Sequence, residues 1–528
     1  MSTDVRDPEL DPTATYRLDQ QAVRRLTARV RASGDSTQLV CSPIDGAPLG
    51  MIPQSSPEDV AAAFARARAA QRRWAHVPVV ERQRLLLGLH DLILQQREEI
   101  TDLIVSESGK ARKHAFDEVM HVAMTARYYG LKSAAHLASD HRSGVLPGLT
   151  RVQVNHVPKG VVGIISPWNY PFTMALADGL PALMAGNAVV AKPDAQATLT
   201  ALLGMRLLEE AGFPVDLWQI VAGSGEVIGT EITQRADYVC FTGSTATGRL
   251  IARQCADRLI GCSLELGGKN PMLVLRDADP DRAAEGAVRA AFSNSGQLCV
   301  SMERLFVADQ IYDRFAARFV ERTRAMTFGD PMQWATDMGP LVSQDQLDKV
   351  TAHVDDAVAK GATVLTGGRP RADLGRYFFE PTILEGVTPA MTCFGSETFG
   401  PVISLYPFHS ETEVIDRANE GSYGLNASIY SRDVSRARAL AARIRCGSVN
   451  INEAFAASFA SLDSPMGGMR DSGSGRRQGS EGIRRYVELQ TVAAQRLMKL
   501  GPLPGMSDEQ WGALLVRNER IMRKLRRA

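Results

Sequence analysis

The sequence predicts an α/β protein built from two doubly wound α/β units and a small flap of β-strands. Three observations point there. Between residues 161 and 266, short apolar runs bounded by Gly, Pro or Asn alternate with stretches of helical period. That is the pattern of parallel strands buried on both faces, with ligands at their carboxyl ends. A second α/β series follows from Met272 to about Asn452. Two isolated segments, Arg151–Val157 and Tyr486–Val492, alternate polar and apolar residues as half-buried strands do.

A chain of 528 residues is too long for one core. Hydrophobic content of 45% and charged content of 23% are ordinary for a globular protein. The net charge of +1 supplies no global field to recruit nucleic acid or an anionic membrane, and neither is expected as a partner. No apolar run approaches the ~20 residues that span a bilayer. The N-terminal Met-Ser-Thr-Asp-Val-Arg-Asp-Pro-Glu is acidic and lacks the apolar core of a secretory signal. Seven scattered cysteines, none in CxxC spacing, argue against a disulfide framework and a zinc site. The expectation is a reduced, cytoplasmic protein without a metal.

In chain order, residues 1–38 read as a polar terminal extension that packs late or loosely. A capped helix opens at Ser56-Pro57-Glu58-Asp59, and further helical runs, including 81–96, continue to about Ser139. The expected organisation assigns 39–143 and 159–266 to one α/β domain and 267–465 to a second. Segments 144–158 and 484–497 form the flap, whose open edges call for pairing with each other or with another subunit. The extension at 498–528 ends in a basic helical tail, read as a solvated face or subunit contact.

Several motifs stand at predicted strand ends. Pro167-Trp168-Asn169-Tyr170-Pro171 follows the first strand of the 161–266 series, its prolines bracing a Trp and an amide. Lys192-Pro193 closes the second strand, placing a cation where a ribose or phosphate would lie. Gly223-Ser224-Gly225 with Gly229 follows the third, and Phe241-Thr242-Gly243-Ser244-Thr245 follows the fourth. Such glycine turns can present backbone N–H groups to a pyrophosphate, although the GxGxxxG spacing matches the usual dinucleotide fingerprint poorly. Glu265-Leu266-Gly267-Gly268-Lys269-Asn270-Pro271 puts a carboxylate at the end of an apolar strand, costly unless it has a task or a partner. Ser293–Ser301, between a helix starting at Asp279-Pro280 and a strand at Leu305-Phe306-Val307, carries Cys299 on a polar loop where a reactive thiol can be exposed and positioned. No histidine is close to it in sequence.

FTGST, ELGGKNP, GQLC, PWNYP and Glu397-Thr398-Phe399-Gly400-Pro401-Val402, in this order and spacing, resemble the aldehyde dehydrogenase superfamily over about residues 40–495. The wording around Gly296–Arg304 and Asp463–Gly473 is nearest to actinobacterial succinate-semialdehyde dehydrogenases. The resemblance implies a Rossmann-like cofactor domain, a catalytic domain and an oligomerisation flap. It implies Cys299 as nucleophile, the Asn169 amide and the Cys299 N–H as oxyanion donors, and Glu265 as the base that releases the acid from a thioester. Trp168, Lys192, Gly243, Ser244, the Leu266 backbone and Glu397 would contact the cofactor. Ala195 occupies the position where NAD-preferring members carry a ribose-gripping Glu, so NADP is expected. Ala177 stands where succinate-semialdehyde enzymes carry an Arg, and Ser301 where they often carry a second cysteine. The expected function is oxidation of an aldehyde, foremost succinate semialdehyde, by a homodimer or homotetramer. Another aliphatic or aromatic aldehyde, a CoA-acylating reaction, and an inactive homologue acting as a binding or structural protein are the alternatives.

Overall fold

The computed structural model describes residues 17–145, 150–496 and 499–525. Among these, two large sheets carry the molecule. The first runs, edge to edge, Gly473–Ser474, Gly261–Glu265, Tyr238–Thr242, Val161–Ser166, Ala188–Pro193, Trp218–Ile220. All its strands are parallel except the two-residue Gly473–Ser474, which lies antiparallel on Gly261–Glu265. The predicted apolar runs are these strands; Val161–Ser166 and Ala188–Pro193 are buried at every position. Helices Thr198–Glu210 and Thr245–Asp257 occupy the intervening stretches where helical period was read.

The second sheet runs Thr363–Thr366, Thr382–Glu385, Val402–Phe408, Met302–Ala308, Asn270–Val274, Asn426–Tyr430, Ser448–Ile451, with only its first strand antiparallel. Its relation to the cleft is the reverse of the first sheet's. Trp168 and Glu265 stand at the carboxyl ends of first-sheet strands, whereas Cys299 stands just before the amino end of Met302–Ala308. The rule that ligands lie at carboxyl strand ends therefore describes only one wall of the cleft.

A third, antiparallel sheet pairs Val487–Gln495 with Thr150–Pro158 in continuous register from Val487↔Pro158 to Gln495↔Thr150, and Asp140–Arg142 adds a third strand. The outer strand Val487–Gln495 buries only its first residue.

The loosely packed N-terminal extension is a point of difference. Residues 1–16 lie outside the described residues, but helix Gln20–Thr27 is capped by Asp19 and buries Val23 and Leu26. Val30 bridges to Ile220 at the edge of the first sheet. Val23, Leu26 and Val30 recur at helical spacing, a short stripe easily lost among five arginines. At the other end, helix Asp508–Lys524 is held by a capping box at Ser507 and Gln510 and buries none of its residues. Arg526 and Arg527 of the basic tail lie outside the described residues.

Candidate active site

Helix Pro280–Phe292 starts at an Asp279 side chain that accepts from the N–H groups of Asp281 and Arg282, and packs its alanine face inward. It ends in a tight turn in which Asn294 and Ser295 adopt φ of 51° and 55°. A β-carbon at the next residue, Gly296, would stand 2.0 Å from the Gly400 carbonyl, so only glycine passes there. The loop was read as exposed and polar. It is polar but buried: Ser293, Asn294, Ser295 and Gln297 are enclosed and Cys299 is half-buried.

The polar side chains fix the loop. Asn294 Nδ2 donates to the carbonyls of Asn169 and Gln297, both at 3.0 Å. Ser295 donates to the Gly339 carbonyl, and Gln297 accepts from the Val342 N–H. His114 Nδ1 accepts from the Asn294 N–H at 3.2 Å; burial pushes this imidazole down to about 3, so it remains neutral. Beyond the thiol, Asn270 Nδ2 donates to the carbonyls of Cys299 (2.8 Å) and Ser301 (2.7 Å), and Asn426 Nδ2 to that of Val300 (3.0 Å). Three successive carbonyls are thereby tied to strands of the second sheet, which leaves the Cys299 side chain little freedom of approach.

Cys299, Glu265 and Asn169 line one cleft of about 210 Å³ together with Trp168, Gly243 and Ser244. Leu266 and Glu397 also line it. Asn169 Nδ2 donates to the Gln297 carbonyl at 3.0 Å. Its backbone carbonyl accepts from Lys110 Nζ at 2.6 Å; Lys110 pairs in turn with Glu118, 2.5 Å, with both side chains fully buried. Glu118 accepts from the N–H groups of Phe172 and Thr173 at the start of helix Pro171–Leu176. None of this ion pair was apparent from the sequence.

Burial pushes the Cys299 thiol up to about 12, helped by the neighbouring Glu265 charge and opposed by Arg477. Glu265 is raised to about 7, again first by burial, and its Oε1 has no hydrogen-bond partner. A buried, unpartnered carboxylate near neutrality is equipped to take and return a proton.

The opposite wall can hold a dinucleotide. Gly243 and Ser244 lead into helix Thr245–Asp257, whose amino end is capped by Ser244 Oγ. Glu397 accepts from the Gly268 N–H at 2.7 Å and is raised to about 7 by burial. Its loop is pinned by Glu303, which accepts from the N–H groups of Thr398 and Phe399 and pairs with Lys269. Trp168 stacks edge-on against Phe399 at 5.7 Å. Lys192 and Ala195 are outside the lining of this cleft, at the end of the strand beside Val161–Ser166, where Lys192 pairs in register with Ile165. Lys192 is buried, and its only hydrogen bond among the described residues goes to the Pro193 carbonyl at 3.2 Å. A buried ammonium with so little to hold fits an anionic group arriving from outside.

Sequence reasoning missed Tyr170, Met174, Phe459, Met466, Lys349 and Arg477 as cleft residues. Tyr170 and Met466 sat inside quoted motifs; the others carry no local signal.

Comparison with known proteins agrees with this geometry. The aldehyde dehydrogenase family model matches residues 30–492. A Mycolicibacterium smegmatis protein named "Putative succinate-semialdehyde dehydrogenase (NADP+)" is 50% identical over 480 residues, 91% of this chain and 93% of that protein. A Mycobacterium tuberculosis protein of the same name, numbered 2, is 45% identical over 95% of this chain and 97% of its own length. Among solved structures, the succinate-semialdehyde dehydrogenase of Burkholderia pseudomallei superposes with a TM-score of 0.84 at 36% identity, covering 88% of this chain and 95% of that one. The chain belongs to the aldehyde dehydrogenase family.

Proposed function

We propose that the protein oxidises succinate semialdehyde to succinate with NADP+ as electron acceptor. The observation that carries the chemistry is the convergence of Cys299, Glu265 and Asn169 in one cleft. The substrate and cofactor are supported by the printed names of relatives 45–50% identical over nearly the whole chain.

Cys299 sulfur adds to the aldehyde carbon, and the developing oxyanion is met by the second Asn169 amide hydrogen and the Cys299 N–H. A thiol held near 12 does not ionise unaided at neutral pH, so its proton must pass to a base as the sulfur adds. Glu265 is the carboxylate beside it, raised to about 7 and so a stronger base than an ordinary carboxylate. Trp168, Lys192, Gly243, Ser244, Leu266 and Glu397 would hold the NADP+, which would supply the hydride acceptor needed between thiohemiacetal and thioester. Glu265, its first proton released to solvent, then removes a proton from water as its oxygen adds to the thioester carbon; the C–S bond breaks, the acid departs, and Glu265 returns that proton to the thiolate. Ala195 leaves space and no negative charge where a 2′-phosphate would approach Lys192.

A second reading of the substrate rests on the cleft wall. Tyr170, Met174, Leu298, Phe459 and Met466 line it, and Ala177 offers no cation to a substrate carboxylate. Away from Arg477 and Lys349, that surface suits an uncharged aliphatic or aromatic aldehyde. Formation of NADPH with a panel of aldehydes, compared by kcat/KM with and without CoA, separates the readings. Succinate semialdehyde should lead the panel without CoA, and Cys299→Ala should abolish turnover while NADP+ still binds. A leading uncharged aldehyde replaces the substrate assignment; near-wild-type activity of Cys299→Ala ends the mechanism.

The enzyme is further proposed to act in the cytoplasm as a homodimer or homotetramer, with the open strand Val487–Gln495 meeting its counterpart in another subunit.

A further inference from the structure

Arg477 lines the catalytic cleft although its segment is held far from Cys299 in sequence. Its backbone exchanges two hydrogen bonds with Met466, which fixes where the side chain leaves the chain. Nη2 donates to the Asp178 carboxylate at 2.7 Å and to Thr242 Oγ1 at 3.1 Å, and Nη1 meets the Met174 sulfur at 3.3 Å. The other Asp178 oxygen accepts from Arg485 Nη2 at 2.6 Å. This clamp leaves the Arg477 Nε–H buried and without an acceptor. Glu265 Oε1 lies 3.9 Å from it and is itself buried without a donor. An unmade hydrogen bond between enclosed groups of opposite charge is expensive on both sides, and a small rotation about the Glu265 side chain closes the gap.

We infer that Arg477, clamped by Asp178, is a positioning residue for Glu265. Its Nε–H takes Oε1 when the carboxylate ionises, and so turns the other oxygen towards the water that attacks the Cys299 thioester. The inference rests on the reading of Glu265 as the base of deacylation. The charged and titratable groups facing Glu265 are Arg477, Asp178, Arg485, Arg476 and Cys299. Arg477 opposes the upward push of burial on both Glu265 and Cys299, so one guanidinium favours the charged form of base and nucleophile alike. A guanidinium that merely braced Asp178 would move the titration of Glu265 by its charge alone, and Arg477→Lys would then leave the rate at high pH unchanged.

The test is the pH dependence of thioester breakdown, measured as the steady phase after the NADPH burst between about pH 5.5 and 9.5. Arg477→Gln should move the acid limb up by about one unit or more, with the rate near pH 6 falling about tenfold or more and, because Gln also lacks the Nε donor, the high-pH rate staying below wild type. Arg477→Lys keeps the charge and loses the planar donor; its acid limb should stay in place, with a lower rate at every pH. An unmoved limb in the Gln variant overturns the inference. If that variant does not fold, the Lys variant decides: a limb displaced despite the retained charge overturns it equally. Glu265→Gln is measured alongside. Wild-type breakdown there sinks the base assignment itself, whereas blocked breakdown with an unmoved Arg477→Gln limb sinks only the positioning role.

Discussion

Burial holds the Glu265 carboxyl at about 7, against an ordinary value of 4.5. Because the folded state binds this proton more tightly than the unfolded chain, the stability it contributes is complete below about pH 4.5 and lost as pH rises through about 7. Above that, the fold carries a buried negative charge. Glu265→Gln should therefore raise the melting temperature at pH 8, by up to about 3 kcal/mol of stability, and change it little near pH 4.5. The same variant should accumulate the thioester on Cys299, seen as a mass increase after one turnover. A stability difference that ignores pH would show that Glu265 is not the strained group. At the proposed cofactor end, Lys192 beside a 2′-phosphate would gain a charge-assisted contact of about 1.5–3 kcal/mol, or about ten- to a hundredfold in favour of NADP. Ala195→Glu should erode or invert that preference in kcat/KM; an unchanged ratio would place the discrimination elsewhere.

The nucleophile loop, the Asn169 turn and helix Pro171–Leu176 behave as one element because the Lys110–Glu118 pair joins them. Removing one partner leaves an uncompensated buried charge, so Lys110→Met should cost about 3–5 kcal/mol in urea unfolding. Adding Glu118→Gln should recover much of that loss; a double variant no more stable than Lys110→Met would refute the coupling. What the sequence made legible here was local. PWNYP, GQLC and ELGGKNP mark strand ends because glycine, proline and polar breaks interrupt apolar runs. Lys110 and Glu118 sit on either side of a helix start, and their partner Asn169 lies over fifty residues on, so no period or spacing advertises them. Arg477 and Asp178 are separated by 299 positions. Only the fold brings such residues together, which is why the motif-borne candidates Cys299, Glu265 and Asn169 could be picked out and the side chains around them could not.

At the scale of the molecule, the two α/β series were legible from apolar runs, while the reversed polarity of the second sheet towards the cleft was not, since strand patterns carry no direction. The small sheet was visible as two alternating segments, and it leaves an unpaired edge with Leu489 68% exposed and Val492 47% exposed. Such an edge invites pairing with another copy. Light scattering should show dimers or tetramers at micromolar concentration, and a proline at Thr491 should shift the distribution towards monomer; a stable wild-type monomer would contradict this. The link between the large sheets has a different consequence. The strand bearing Glu265 ends there, and the next sheet begins at Asn270. The four residues between have no slack, because a β-carbon on Gly267 would strike Glu397 at 2.5 Å and one on Gly268 the Cys299 carbonyl at 2.8 Å. A tether that short transmits displacement instead of absorbing it. Any tilt of one sheet against the other pulls Glu265 and Cys299 out of line together, so with these two as the proposed base and nucleophile, turnover rate would act as a strain gauge for the alignment of the two halves.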